Sequence, residues 1–176
     1  VARCFYALEQ NRADRKRYPA VNPIDSYSKY IEYPEFEEYI KTKIEGDWIG
    51  MVNQMKTILL RGKEVQEQIN ILGDDGVPVD YHVTFWKSEV IDFVILQQDA
   101  FDKIDAVCPL ERQEFMLKLV MDICNADYEF ETFLDVMDYF KRIINICKQM
   151  NYCEFHSDKF EEHLGKLKEL LAEREA

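Results

Sequence analysis

The sequence predicts a mainly α protein, a helical bundle preceded by one strand and a loop. Three observations carry this reading. Apolar residues recur at spacings of three and four in successive blocks from Phe36 to Leu171, the period of one helix face. Glycine, proline and aspartate separate these blocks with short connections, so neighbouring helices run antiparallel. Only Val1 to Leu8 reads as a strand, with a near-continuous apolar run through Val1, Ala2, Cys4, Phe5, Tyr6 and Ala7. Such a run suits a strand buried on both faces.

That strand finds no second strand-like run to join, which hints that a neighbouring domain precedes it. Glu9 to Arg17 is polar and carries Arg12, Arg15, Lys16 and Arg17, so it reads as a solvated short helix. Tyr18 to Ser28 is extended and turning. Pro19 and Pro23 each fix φ and remove a donor, and they bias Tyr18 and Asn22 away from helix. Asp25, Ser26 and Ser28 can bond nearby backbone and hold the turn. Pro34 suits a first helical position, followed by Phe36, Ile40 and Ile44 at spacing four.

A long helix follows with Val52, Met55, Leu59, Gly62, Val65, Ile69 and Leu72 on one face. Gly62 inside it costs about 1 kcal/mol against alanine, so it marks a kink or a close contact. Gly73 to Pro78 stops that helix, and Asp80 is a candidate N-cap for the next, which carries Val83, Trp86, Val90, Phe93 and Val94. Asp99 to Cys108 is a loop. Pro109 opens a helix with Met116, Leu119, Val120 and Ile123 inward. Asp127 is a candidate cap for a helix carrying Phe130, Phe133, Leu134, Met137, Phe140, Ile144 and Cys147. Ser157 starts the last helix, with Phe160, Leu164, Leu167 and Leu171. The result is one strand and roughly six helices.

The bulk numbers bound the function. The 176 residues can bury a real core, and 47% hydrophobic with 32% charged residues is a globular balance. The net charge of −12 argues against nucleic acid and against an anionic membrane surface, both of which need a basic patch. No apolar run approaches the roughly 20 residues of a membrane span, so direct membrane insertion is not expected. Five scattered cysteines, none in C-x-x-C, suggest neither a disulfide framework nor a zinc site, and a reduced cytosolic compartment fits. The chain begins at Val1 without methionine, which is what a fragment would show.

No catalytic constellation is visible. Gly62-Lys63 is followed by Glu64 and lies in a helix, so it makes no phosphate cradle. His82, His156 and His163 have no ligand spacing with any cysteine and read as surface or helix-end residues. Asp74-Asp75 reads as a solvated turn. Each apolar stripe reads as core.

One stretch says more. Pro19-Ala20-Val21-Asn22, three further residues, then Ser26-Tyr27-Ser28 resembles the signature of the nucleotide-binding subunits of rotary ATPases. Leu96-Gln97-Gln98-Asp99-Ala100-Phe101-Asp102, with Asp105 and Cys108 after it, resembles a second pattern, found in the V/A-type branch. Tyr18 before the signature and Ser26-Tyr27-Ser28-Lys29-Tyr30 at its end resemble the catalytic A subunit, or alpha chain. Non-catalytic paralogues carry an arginine finger after the last serine, where this chain has Lys29. The resemblance extends over most of residues 3 to 124, and the last fifty or so match only as helices.

The resemblance implies a division at residue 30. Residues 1–30 would be the edge of a nucleotide-binding domain and 31–176 a helical C-terminal domain. It implies that Tyr18 and Phe101 line an adenine pocket, where stacking on each ring is worth about 1–3 kcal/mol. From the residues alone, Phe101 reads as a core phenylalanine under a loop and Tyr18 as a surface tyrosine. It implies that Gly73, Asp74, Asp75, Gly76, Val77, Pro78, Val79 and Asp80 form the tip that presses on a central rotor stalk. ATP or ADP with Mg2+ would be the cofactor of the intact subunit, with the phosphate loop, catalytic glutamate and metal ligand upstream. Non-catalytic B subunits and rotor stalk subunits would be the partners, in a soluble head peripheral to the membrane. The rival reading is a free-standing acidic helical module that binds proteins. A third is an enzyme with an unrecognised site. The strand Val1 to Leu8 discriminates, since a free-standing module should not begin with an unpaired buried strand. If both rings sandwich a base, about 7 Å separates them, at the end of the bundle away from Gly73 to Asp80.

Residues 1–176 alone are expected neither to hydrolyse ATP nor to bind it tightly, because they carry no phosphate cradle. Thermal unfolding with and without millimolar ATP checks this, and a rise of several degrees would contradict it.

Overall fold

The structure, a computed structural model, describes residues 3–173. Val1 and Ala2 of the expected strand lie outside the described residues. The architecture is helical, as the periodicity predicts. Among the described residues there are seven α-helices: α1 (Gln10–Asp14), α2 (Pro34–Lys41), α3 (Trp48–Leu72), α4 (Val79–Ile91), α5 (Leu110–Asn125), α6 (Phe133–Asn151) and α7 (Asp158–Ala172). Two short strands, β1 (Cys4–Phe5) and β2 (Tyr27–Ser28), join them, with 3-10 turns at Lys29–Glu32 and Asp74–Gly76 and a π-turn at Asp92–Leu96.

The strand differs from expectation. β1 is exposed and pairs antiparallel with β2, Cys4 opposite Ser28 and Phe5 opposite Tyr27. A bridge between Leu8 and Val21 continues the pairing. The partner segment is too short and proline-bounded to show strand periodicity. The strand is neither orphaned nor buried on both faces, so it no longer discriminates between a missing domain and a free-standing module. Asn22 organises the turn within this ribbon. Its Oδ1 accepts from the amides of Ile24 at 2.8 Å and Asp25 at 3.0 Å. Ser26 Oγ accepts from the amide of Ala7, and Ser28 Oγ from that of Tyr30. The Tyr18–Pro19 peptide bond is cis.

α4 is the centre of the bundle. It packs against α3 on one side and α6 on another, and α6 packs against α7. Val90, Ile91, Val120, Phe140, Ile143 and Leu167 are fully buried in the shared core. Cys124 and Cys147 join it as small hydrophobes, each with its thiol pushed up to about 12 by burial. All five cysteines are free. The stripe of α3 is buried at Met55 and Val65 but fades toward Leu72, which is exposed.

Helix starts divide between expected and unexpected caps. Ser157 caps α7, accepting from the amide of Phe160. Pro34 opens α2 as expected. Asp80 is not a cap; it sits in the first turn of α4, whose N-cap is Pro78. Asp127 is not a cap either, because α6 begins later, at Thr132, whose hydroxyl accepts from the amide of Asp135. There an acid three residues inside the helix completes the cap through Thr132 Oγ1. His82 is at a helix end but is 2% exposed, with Nε2 2.9 Å from the carbonyl of Asp74 and its ring stacked on Phe133. His156 is exposed and faces Glu161.

Gly62 marks a close contact. A Cβ there would overlap both Oγ and Cβ of Ser88 on α4. The Cβ of Ser88 is tied to its backbone, so a rotamer change cannot make room. Gly62→Ala is therefore expected to destabilise by about 1–3 kcal/mol, despite the higher helix propensity of alanine. Urea unfolding measures this, and adding Ser88→Gly should recover part of the loss.

Candidate functional site

The Tyr18 segment and the loop after residue 96 meet at one end of the bundle. α4 does not stop at Ile91; its axis continues through a π-turn at Asp92–Leu96. The amide of Gln97 then donates to the carbonyl of Asp92 at 2.8 Å, and the amide of Gln98 donates to the carbonyl of Tyr18 at 2.9 Å. An open cavity of about 620 Å3 lies here, lined by Lys16, Tyr18, Pro19, Gln97, Gln98, Asp99, Ala100, Phe101, Ala106 and Tyr152. This volume is within the usual range for small-molecule sites, roughly 300–1,000 Å3.

Both aromatic residues singled out from sequence line this cavity, although 83 residues separate them. Tyr18 is 52% exposed and Phe101 98% exposed. Phe101 is thus at a loop tip, not packed under the loop. The loop is shaped by its own carboxylates. Asp105 Oδ2 accepts from the amide of Asp99 at 2.6 Å. Asp99 Oδ1 accepts from the amide of Phe101, and Asp102 Oδ1 from those of Ile104 and Asp105. Burial pushes the Asp105 carboxyl above the usual carboxylate range, against the opposing effect of the Asp99 amide. Burial and then the charge of Asp99 push the Tyr152 phenol up.

Behind the cavity, Arg17 forks onto Glu89, with Nη1 to Oε1 at 3.0 Å and Nη2 to Oε2 at 2.6 Å. Its Nη1 also donates to Asp92. Arg12 Nη1 forms an ion pair with Asp92 Oδ1 at 2.7 Å, without an aligned hydrogen bond. Burial opposes the Arg17 charge, but the hydrogen bonds and charges of Glu89 and Asp92 prevail and raise its pKa. Arg12 and Arg17 are held in largely buried ion pairs, whereas the sequence reads this stretch as a solvated helix. Sequence reasoning missed this cluster, with Gln97 and Tyr152. A signal existed: Glu89 and Asp92 interrupt the apolar run Val90, Ile91, Phe93, Val94, and acids in a buried run require cations.

The Gly73 to Asp80 segment lies at the other end of α4. Gly73 adopts φ 77° and a single 3-10 turn, Asp74–Gly76, leads into the helix. Asp74, Asp75 and Asp80 are exposed, while Val77 is buried and anchors the turn. α4 and its π-turn span roughly 26 Å at 1.5 Å per residue, which separates this turn from the cavity. Among the described residues, no helix is long and apolar enough to cross a membrane, and no His/Cys/Asp/Glu cluster is placed to hold a metal.

Residues 37–138 match the family described as the C-terminal domain of V and A type ATP synthase. The chain belongs to that family. It is 32% identical over 174 residues to a V-type ATP synthase alpha chain of Protochlamydia amoebophila, covering 99% of this chain and 29% of that protein. It is 28% identical over 174 residues to the V-type ATP synthase alpha chain of Treponema denticola, covering 99% of this chain and 27% of that protein. The chain thus spans less than a third of the length of these relatives. A unique ATP synthase subunit, NeqB, from Nanoarcheaum equitans shares the fold, with a TM-score of 0.53 and 13% identity over 72% of this chain and 29% of that one.

The raised Asp105 value has a pH signature. Folding takes up a proton here, so this contribution to stability is complete below the ordinary carboxylate value, about 4, and is lost as pH rises through the raised folded value. Asp105→Asn keeps an oxygen for the Asp99 amide and removes the charge. Denaturation midpoints measured upward from pH 4 should fall less in this variant than in the parent.

Proposed function

We propose that this chain is the part of a rotary V/A-type ATPase or ATP synthase alpha chain that completes the adenine pocket and forms the lever acting on the rotor. The observation that carries this is the placement of the two ends of α4. At one end, Tyr18 and Phe101 line a single cavity; at the other is the exposed turn Gly73 to Asp80. A lever separates its fulcrum from its load, and a helix of this length is a stiff connector.

The cavity fits a purine base. Its two exposed aromatic faces can stack on a base. On this reading, residues 1–30 belong to the edge of a nucleotide-binding domain and 31–176 to the helical domain. The bound nucleotide, as ATP or ADP with Mg2+, supplies the phosphoryl-transfer energy. Its phosphate contacts come from outside this chain, whose own residues orient the base. Tyr18 follows the nucleotide, and α4 passes the displacement to the turn. The turn contacts the central stalk in a ring with non-catalytic B subunits, and the work appears as proton or sodium transport. The head so formed would be cytoplasmic and peripheral to the membrane.

The test is made in the assembled complex. Deleting Asp74 and Asp75 from the turn should reduce ion transport much more than ATP hydrolysis, because the turn is remote from the phosphates. Transport and hydrolysis rates are measured side by side. Equal loss of both would contradict the lever assignment.

A further inference from the structure

The ion cluster behind the cavity joins two pieces of the molecule that the proposed function requires to act together. Arg17 is the residue immediately before Tyr18. Its guanidinium plane grips Glu89 with two bonds and Asp92 with a third, and it lies over the ring of Phe93 at 4.5 Å. Those residues belong to the last turn of α4 and the first of the π-turn. The next contact along the chain, from Gln98 to the carbonyl of Tyr18, secures the other flank of the same residue. Tyr18 is therefore fixed on both sides by residues 89 to 98, while its own ring remains half-exposed toward the cavity.

The side chains of Arg17, Glu89 and Asp92 are 14%, 11% and 7% exposed. Ion pairs removed from water to this extent add little net stability over apolar packing of the same volume. What they add here is geometry. A guanidinium fork fixes angle as well as distance, which an apolar contact or a lysine does not. We propose that Arg17 is a positioning residue for the nucleotide site: its fork on Glu89 and Asp92 sets Tyr18 over the cavity and makes the Tyr18 segment and α4 move together. This rests on the reading of the cavity as an adenine site. It adds that the Arg17 fork carries part of the coupling between base and lever, beside the Gln98 contact to the Tyr18 carbonyl.

The experiment uses the full alpha chain in its assembled complex, with steady-state ATP hydrolysis and ion transport as readouts. Four variants are compared: Tyr18→Ala, Arg17→Gln, Arg17→Lys and Leu167→Ala. Leu167 is fully buried in α7, does not line the cavity, and serves as a control for lost stability. Arg17→Gln is expected to raise KM for ATP about tenfold, the loss of one stacking contact, and to lower ions moved per ATP. Arg17→Lys, which keeps charge but not the fork, should fall between Arg17→Gln and the parent. Leu167→Ala should lower the melting temperature while leaving KM and the ion-to-ATP ratio unchanged. If Tyr18→Ala raises KM and Arg17→Gln does not, the positioning role is overturned and the adenine site stands. If Tyr18→Ala leaves KM unchanged, the adenine reading fails and the positioning role fails with it. If Leu167→Ala reproduces the Arg17→Gln kinetics, the effect of Arg17 is only structural and the proposal is overturned.

Discussion

The pairing of Arg12 and Arg17 with Glu89 and Asp92 is the constraint on which the rest of the arrangement depends. Two cations face two carboxylates with their side chains 7–14% exposed, so the four charges balance. Each charge alone would be costly to bury, and losing one partner of such a set typically costs about 3–5 kcal/mol. The set therefore permits one docking of the first thirty residues on the bundle and opposes others. Phe93 covers the Arg17 guanidinium, and Lys148 approaches the same ring at 5.3 Å. Once Arg17 is placed, Tyr18 has little freedom, because its carbonyl is taken by Gln98. The cavity between Tyr18 and Phe101 is thus a consequence of the docking.

The same docking fixes the cavity end of α4. This helix is gripped along its length by α3 and α6, and the Gly62–Ser88 approach brings α3 close enough to exclude any side chain between them. At the cavity end, a third guanidinium, fully buried, extends the scaffold. Arg112 of α5 donates to the carbonyls of Met150 and Asn151 at the end of α6, at 3.1 Å for Met150, and Asn151 Nδ2 donates to the carbonyl of Val94 in the π-turn at 2.9 Å. Cations at a helix C-terminus complement its dipole and its unpaired carbonyls. In the π-turn, this bridge pairs the carbonyl of Val94. α4, α5 and α6 consequently meet the loop that carries Phe101 as one packed unit.

The helices were legible in the sequence because burial of an amphipathic stripe writes itself at spacings of three and four. The boundaries at Pro34, Gly73, Pro109 and Ser157 were legible for the same local reasons. What escaped was long-range. The pairing of Cys4–Phe5 with Tyr27–Ser28 involves residues that do not alternate, in a ribbon too short to show a period. Burial of His82 depends on Phe133 and on a turn carbonyl, neither of which is near it on its own helix face. The basic run from Arg12 to Arg17 reads as solvent-facing, because its carboxylate partners are more than seventy positions away. The meeting of Tyr18 with Phe101 was suggested by resemblance to a family; spacing alone carries no trace of it. Membership of the V and A type ATP synthase C-terminal domain family agrees with that resemblance.

The ion cluster and the Gln98 contact join the segment carrying Tyr18 to the bundle carrying the Gly73 to Asp80 turn as one body. Pulsed electron spin resonance on the assembled complex tests it directly, with spin labels at the exposed positions Asp14 and Asp75. One narrow distance distribution, unchanged when ATP is added, is expected, because the ion cluster keeps both ends in register. A distance that shifts by several ångström on ATP binding, or two resolved populations, would contradict it.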